Sequence, residues 1–315
     1  MTIDTDFKYA CVIVTFNRSE LLIEAVNSVL AQSIQPKKIV IVNNASTDDT
    51  LDKLRKNFGL QNDKIQIINL KENKGGSYGF YCGLKAAAKL NVDWVSVSDD
   101  DAIFKDNFFA KIEKGTISNP EIMSFTGTVK LGNGCIQLSH RRRVVNDWTL
   151  KQIEVSAEEY KESFYLDTFT FVGAVFKTSL IEQIGLPHKE FFIWYDDTEY
   201  ALRIRSKSKT INVSDAVVVH KTQPSAITGE YQPNWREYYG IRNEIITNKL
   251  HTSSKSVLMV YLIFKTLKKI GGILIRRKFH GFRLFELKIL YHGTLDGLEN
   301  KSGKNALYYP GMSYK

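Results

Sequence analysis

The run Ser96-Val97-Ser98-Asp99-Asp100-Asp101 constrains this chain more than any other stretch. A short apolar run from Trp94 to Val97 leads straight into three carboxylates. Three such charges cannot be buried together without a counter-charge, and at a surface they repel one another. A strand that carries the acids at its carboxyl end, sharing a divalent cation, meets both conditions. In open α/β sheets that end of the strands is where ligands bind. The alternative is a solvated acidic turn.

The residues before the triplet repeat one pattern. Ala10 to Val14 and Ile39 to Val42 are continuous apolar runs, as expected of strands buried on both faces. Between them, Ser19 can cap a helix whose apolar positions, Leu22, Ala25, Val26, Val29 and Leu30, fall at helical spacing. A helix to about Phe58, a strand from Ile65 to Leu70 and a helix to about Leu90 follow. This alternation implies right-handed crossovers and a mostly parallel sheet. The polar loops at Asn17, Asn44, Asn73 and Asp99 all follow strands, so they collect on one rim. A nucleotide site on that rim is the economical reading. Asn73-Lys74-Gly75-Gly76 opens a helix, where closely spaced glycines let backbone N–H groups approach an anion. It is neither GxxxxGK[ST] nor a clean GxGxxG.

The second half is less regular. A helix is expected around Asn107 to Lys114, and strands near Ile122 to Val129 and Leu166 to Phe176. Arg141-Arg142-Arg143 could meet phosphates or form a solvated basic loop. In Phe191-Phe192-Ile193-Trp194-Tyr195-Asp196-Asp197-Thr198-Glu199, aromatics run into acids that open a helix. The helix dipole stabilises such acids, so a purely structural role is one reading. Sugar chemistry is the other: aromatic faces cover the apolar side of a sugar ring, and a carboxylate can take a hydroxyl proton. Ala216 to Val219 is a strand ending in His220, whose neutral imidazole could complete a metal site with the aspartates.

Charge divides the chain. From Lys249 to Leu290 there are ten Lys/Arg and one acid, so this segment carries the whole net charge of +9. Apolar residues interleave with the basic ones from Ser256 onward, which suits amphipathic helices on anionic lipid, or a helical appendage packed on the catalytic domain or forming an oligomer interface. The longest apolar run, Val257 to Phe264, is too short to span a bilayer. The polar N-terminus carries no signal-peptide pattern, and Cys11, Cys82 and Cys135 have neither disulfide nor metal-ligand spacing. A cytoplasmic protein, peripheral on the inner face of the cell membrane, is the expectation.

Taken in order, Thr-Phe-Asn-Arg, Val-Asn-Asn-Ala-Ser-Thr-Asp, Asn-Lys-Gly-Gly-Ser-Tyr-Gly-Phe, Asp-Asp-Asp, Trp-Tyr-Asp-Asp-Thr-Glu-Tyr and a later His resemble the family 2 GT-A glycosyltransferases. Within these the chain looks most like bacterial galactofuranosyltransferases, with rhamnosyltransferases second. The resemblance runs from about residue 9 to 245. Weaker echoes at Tyr238-Tyr239-Gly240-Ile241-Arg242-Asn243, and from Tyr291-His292-Gly293 to Gly303-Lys304, reach toward the C-terminus.

The resemblance implies a GT-A fold, Rossmann-like with a mostly parallel sheet, over residues 1–248. Its donor half is about 1–101 and its acceptor half about 102–248, with a basic helical region at 249–315. It implies that Thr15, Asn17, Arg18 and Asn43 or Asn44 hold the nucleoside, and that Asn73, Gly75 and Gly76 approach the diphosphate or sugar. Asp99, Asp101 and His220 would bind Mn²⁺ or Mg²⁺, with Asp100 beside the donor. Asp197 would be the catalytic base, with Phe171, Trp194, Tyr195 and Asp196 toward the acceptor. The implied reaction is inverting transfer of galactofuranose from a UDP-sugar to a glycan or lipid-linked glycan in surface-polysaccharide synthesis, by a possible homo-oligomer. The rival donor is dTDP-rhamnose.

Outside transferases, a sugar nucleotidyltransferase would need a basic glycine-rich loop after the first strand, where this chain has Thr15-Phe16-Asn17-Arg18. A nucleic-acid-binding protein could use the +9 segment, but leaves the aspartates and His220 without a role. No nucleic-acid partner is expected.

Overall fold

The computed structural model describes residues 6–59, 62–222 and 231–314. They form two compact units. One comprises the residues up to Arg143, Ile153–Lys189 and Asp197–Thr222; the other comprises Val144–Gln152, Glu190–Asp196 and the residues from 223 onward.

The first unit opens with β1 (Tyr9–Thr15), α1 (Ser19–Leu30), β2 (Lys38–Asn43), α2 (Thr50–Phe58), β3 (Ile65–Asn69), α3 (Gly76–Ala87) and β4 (Trp94–Asp99). All pairings among these strands are parallel: β1 lies between β2 and β4, and β3 edges β2. Every residue of β1 is buried, because the strand is covered on both faces. Cys11 and Ile13 belong to one apolar cluster with Leu22, Val26 and Val29 of α1. Val12 and Val14 belong to the other, with Phe80 and Leu84 of α3. Each such side chain contributes about 1.5–3 kcal/mol relative to exposure.

The alternation then breaks. The chain continues through β5 (Ala102–Phe104), α4 (Phe108–Ser118), β6 (Ser124–Leu131), β7 (Arg141–Asn146), β8 (Lys151–Glu154), β9 (Phe164–Leu166), β10 (Thr168–Phe169), β11 (Ala174–Lys177), α5 (Thr178–Ile184), α6 (Asp196–Arg205) and β12 (Thr210–His220). The main sheet has the order β3-β2-β1-β4-β11-β6-β12-β5, with β9 also on β12, while β10-β7-β8 form a small separate sheet. β11 runs antiparallel between β4 and β6, and β12 is parallel to β6 but antiparallel to β5. The stretch from Leu166 to Phe176, expected as one strand, is therefore interrupted. Gly173 has φ +65°, and a Cβ there would sit 2.7 Å from the Val218 side chain. The backbone turns where no larger residue fits.

In the second unit, α7 (Arg236–His251) packs against α8 (Lys255–Ile275) and α9 (Arg283–Leu298). Residue 248, where the charge change suggests a boundary, lies inside this unit, within α7. The α7–α9 crossing is close because α9 presents glycines: a Cβ on Gly297 would meet Ile245 Cβ at 2.9 Å and Arg242 O at 3.0 Å. Among the described residues no helix is long and apolar enough to cross a membrane.

Candidate active site

Strand register assembles the acidic rim. Asp99 ends β4 opposite Val14, and Asp100 and Asp101 form the turn into β5. β5 pairs antiparallel with β12, and Ala102 lies opposite His220. The residue after the triplet thus brings in an imidazole from the far end of the unit. One ligand atom each from Asp99, Asp101 and His220 lie within 4.8 Å of one another.

The detailed contacts fit a cation. Asp101 Oδ1 is buried, makes no hydrogen bond and lies 3.1 Å from His220 Nε2. His220 Nδ1 is 2.9 Å from Gln137 Oε1. An amide oxygen only accepts, so Nδ1 carries a hydrogen, and Nε2 faces Asp101 either as the N–H of an imidazolium or with a bare lone pair. Two lone pairs at that distance repel unless a proton or a cation lies between them. Two carboxylates suit hard divalent ions, and the imidazole favours Mn²⁺ over Mg²⁺.

Around the triplet, Thr15 Oγ1 donates to Asp100 Oδ2 at 2.7 Å. Arg18 Nη1 lies 2.6 Å from Asp101 Oδ2 and 3.3 Å from Asp100 Oδ1. Burial pushes the Asp100 carboxyl up to about 6 against the pull of Thr15 and Arg18. Burial also pushes Asp101 up, but an imidazolium at His220 and the Arg18 guanidinium outweigh it and hold the group below its ordinary value.

The other expected donor residues form a stitched rim. Asn43 Nδ2 donates to Asn69 Oδ1 at 2.7 Å, and Ser46 N donates to Asn43 Oδ1 at 3.0 Å. Asn44 Nδ2 donates to Asn73 Oδ1 at 3.0 Å, which also accepts from Gly75 N at 2.8 Å. Asn17, with φ +54°, accepts from Thr47 N at 2.8 Å. Asn43 and Asn44 are buried in this network and hold the loops in shape, whereas Asn17 is exposed. The glycines divide their work. Gly75 has φ +87°, and a Cβ on Gly76 would meet nothing within 4 Å. Gly79 instead packs on Val14, where a Cβ would come within 2.5 Å.

Asp197 is the second residue of α6 and half-buried. Burial raises its pKa, and the Thr198 N–H (2.5 Å) and hydroxyl (3.1 Å) oppose the rise. Glu199 is held by Arg203 at 2.7 Å one helical turn later, which is a structural pair. In the second unit, Trp194 is 38% exposed while Asp196 is buried. Phe192, Trp194 and Tyr195 have φ of +68°, +64° and +71°. Such backbone costs on the order of 1–3 kcal/mol per residue and persists only where the surroundings impose it.

Two expectations change. Phe171 is buried, its ring 4.8 Å from Phe80 and 5.9 Å from Tyr200, so it fills the core with no face left for an acceptor. Arg141 meets neither phosphate nor solvent. It is fully buried and donates to the carbonyls of Gly127 (2.6 Å), Val172 (2.8 Å) and His140 (2.9 Å). Sequence reasoning missed Gln137 and also His140, whose ring stands perpendicular to that of His220 with centroids 5.1 Å apart. Burial and the Arg141 charge hold His140 far below its ordinary pKa, so it is neutral. No spacing ties either residue to His220; the pairing of β6 with β12 does.

A Rossmann-like sheet carrying cation-ready carboxylates at its carboxyl rim, beside a glycine-opened helix start, defines a GT-A glycosyltransferase. The profile of Glycosyl transferase family 2 matches residues 10–184, more than half of the chain, and the protein belongs to that family. It is 27% identical over 217 residues to galactofuranosyltransferase GlfT1 of Mycobacterium tuberculosis, covering 66% of this chain and 68% of that one. GalNAc-T7, solved with UDP, GalNAc and Mn²⁺, superposes with a TM-score of 0.60 at 16% identity, over 77% of this chain and 48% of its own. Mannosyltransferase PcManGT of Pyrobaculum calidifontis, solved with GDP-Man and Mn²⁺, gives a TM-score of 0.55 at 15% identity, over 93% and 88%.

Proposed function

We propose that the protein transfers galactofuranose from UDP-galactofuranose, with inversion, to a hydroxyl of a glycan or lipid-linked glycan in cell-surface polysaccharide synthesis. The observation that carries the reading is the convergence of Asp99, Asp101 and His220 on the carboxyl rim. The similarity to GlfT1 supports the choice of sugar. These three residues would hold Mn²⁺ or Mg²⁺, which as a Lewis acid neutralises charge developing on a nucleotide diphosphate. The stitched Asn17, Asn44 and Asn73 loops shape the nucleoside end, and Gly75 and Gly76 leave backbone room for the diphosphate or sugar. Asp197 takes the proton of the acceptor hydroxyl as that oxygen bonds to the anomeric carbon. The bond from that carbon to the diphosphate breaks on the opposite face, and the nucleoside diphosphate leaves. Trp194, three residues earlier in sequence, offers an aromatic face to the acceptor.

The same reading puts the protein on the inner face of the cytoplasmic membrane. Val257, Val260, Phe264 and Leu267 recur at three- and four-residue intervals along α8, Leu274 follows seven residues on, and each is at least 39% exposed. Leu284, Tyr291 and Leu295 are likewise exposed on α9. Exposed Arg276, Arg277 and Lys278 follow α8. Apolar stripes beside basic residues suit an anionic bilayer.

The test is Asp197→Asn. Transfer should fall by about 10²–10⁴-fold while metal-dependent donor binding survives. Near wild-type transfer would remove Asp197 as the base. A panel of nucleotide sugars settles the donor, and turnover of dTDP-rhamnose alone would overturn UDP-galactofuranose.

A further inference from the structure

We propose that Gly240, Arg242 and Asn243 of α7 are positioning residues that fix Trp194 as a rigid platform for the acceptor sugar. The proposal rests on the acceptor role given to Trp194 above, and every contact it uses lies within the second unit. The loop from Phe191 to Tyr195 holds three aromatic residues in left-handed backbone. Aromatic side chains seldom adopt that conformation unless the surroundings impose it. Here the surroundings are one buried amide and one buried guanidinium. Asn243 Nδ2 lies 2.9, 3.1 and 2.9 Å from the carbonyl oxygens of Phe191, Ile193 and Trp194. Arg242 Nε donates to Asn243 Oδ1 at 2.9 Å. That bond fixes which end of the amide faces the loop. Arg242 Nη2 donates to Phe191 O at 3.0 Å, and Nη1 donates to Gly303 O at 2.6 Å.

Gly240 lies one turn before Asn243, on the same side of α7. A Cβ there would stand 3.0 and 3.3 Å from the Trp194 indole. The Cε3–Cζ3 edge of the ring therefore lies close to bare helix backbone, while the residue keeps 38% of its surface exposed. A flat indole braced at one edge, near three carbonyls held by a buried amide, suits the apolar face of a sugar. Pre-organisation of this kind lowers the cost of ordering the contact on binding. The Tyr238–Asn243 stretch thus acquires a role: Tyr238 and Tyr239 flank the guanidinium at 5.4 and 4.9 Å, and Gly240, Arg242 and Asn243 after them hold the loop.

The variants are Gly240→Ala, Asn243→Asp, Trp194→Ala and the Gly240→Ala/Trp194→Ala double. Alanine is a better helix former than glycine, so Gly240→Ala should fold. In ¹⁵N-tryptophan-labelled protein, the indole signal of Trp194, identified by its loss in Trp194→Ala, should be single in the parent. It should shift or broaden in Gly240→Ala, with the signals of the other three tryptophans unmoved. In kinetics with an alkyl galactofuranoside as probe acceptor, Gly240→Ala and Trp194→Ala should each raise the acceptor KM about 10-fold, within the range of a lost stacking contact. The donor KM should stay within about two-fold, and the double variant should be no worse than Trp194→Ala, as for coupled residues. An indole signal unmoved by both Gly240→Ala and Asn243→Asp would overturn the positioning role, whichever acceptor is used. So would additive KM effects. An acceptor KM unchanged in Trp194→Ala would instead overturn the acceptor reading of Trp194 and leave the positioning result standing.

Discussion

The imidazole of His220 can serve a metal only when Nε2 is deprotonated and faces Asp101, and Gln137 holds the ring in that orientation. Gln137→Leu should weaken Mn²⁺ binding about 10–100-fold, read as free Mn²⁺ by electron paramagnetic resonance. Gln137→Glu should restore it, and equal affinity in all three proteins would deny Gln137 this part. Asp197 supplies a pH test. It accepts a proton only as a carboxylate, and burial raises its pKa above the ordinary range. Activity should therefore fail on acidification while exposed carboxylates are still ionised. A kcat/KM profile whose acid limb centres near the ordinary value of about 4 would contradict that assignment. At this scale the sequence revealed charge better than partnership. Asp99, Asp101, Asp197 and His220 stand out because clustered ionisable groups need a reason. Gln137 and Asn243 are neutral amides, and their meaning lies entirely in what they face.

Helix α3 sits on β1 and β2 at a distance only glycine allows. A Cβ on Gly83 would come within 2.3 Å of Val12 Cγ1 and 3.2 Å of Val42 Cγ2. Gly83→Ala should therefore cost about 1–3 kcal/mol from overpacking, outweighing about 1 kcal/mol of helix propensity. Denaturant unfolding measures the balance, and a stabilised variant would refute the close packing. The elements up to β4 were legible because β1 and β2 carry continuous apolar runs and the strands alternate with helices. In the stretch from Ala102 to Lys177 only α4 and β6 were legible. Its strands are mostly short, and the antiparallel insertion of β11 between β4 and β6 is a tertiary choice that no local pattern records. Hydropathy also could not show that Gly173 turns the chain beneath Val218.

Across the whole molecule, charge and apolar exposure coincide on α8 and α9. Vesicles rich in phosphatidylglycerol should carry the protein in flotation at about 0.15 M salt, and phosphatidylcholine vesicles should not. Each basic residue near the surface adds about 1 kcal/mol. Higher salt or Phe264→Glu should release it, and binding blind to both would refute the surface. Composition located the basic segment correctly but could not reveal that Val144–Gln152 and Glu190–Asp196 join the same unit, since that grouping depends on folding contacts. One of those contacts bears on how the protein is made. Gly303 accepts from Arg242 and donates its N–H to Glu190 O at 2.7 Å. Chains emerge from the ribosome N-terminus first. The donor rim is complete once His220 has been made, but the loop before Asp197 gains this brace some eighty residues later. In a nascent or truncated chain the acidic rim would therefore be assembled before the loop that precedes Asp197 is braced.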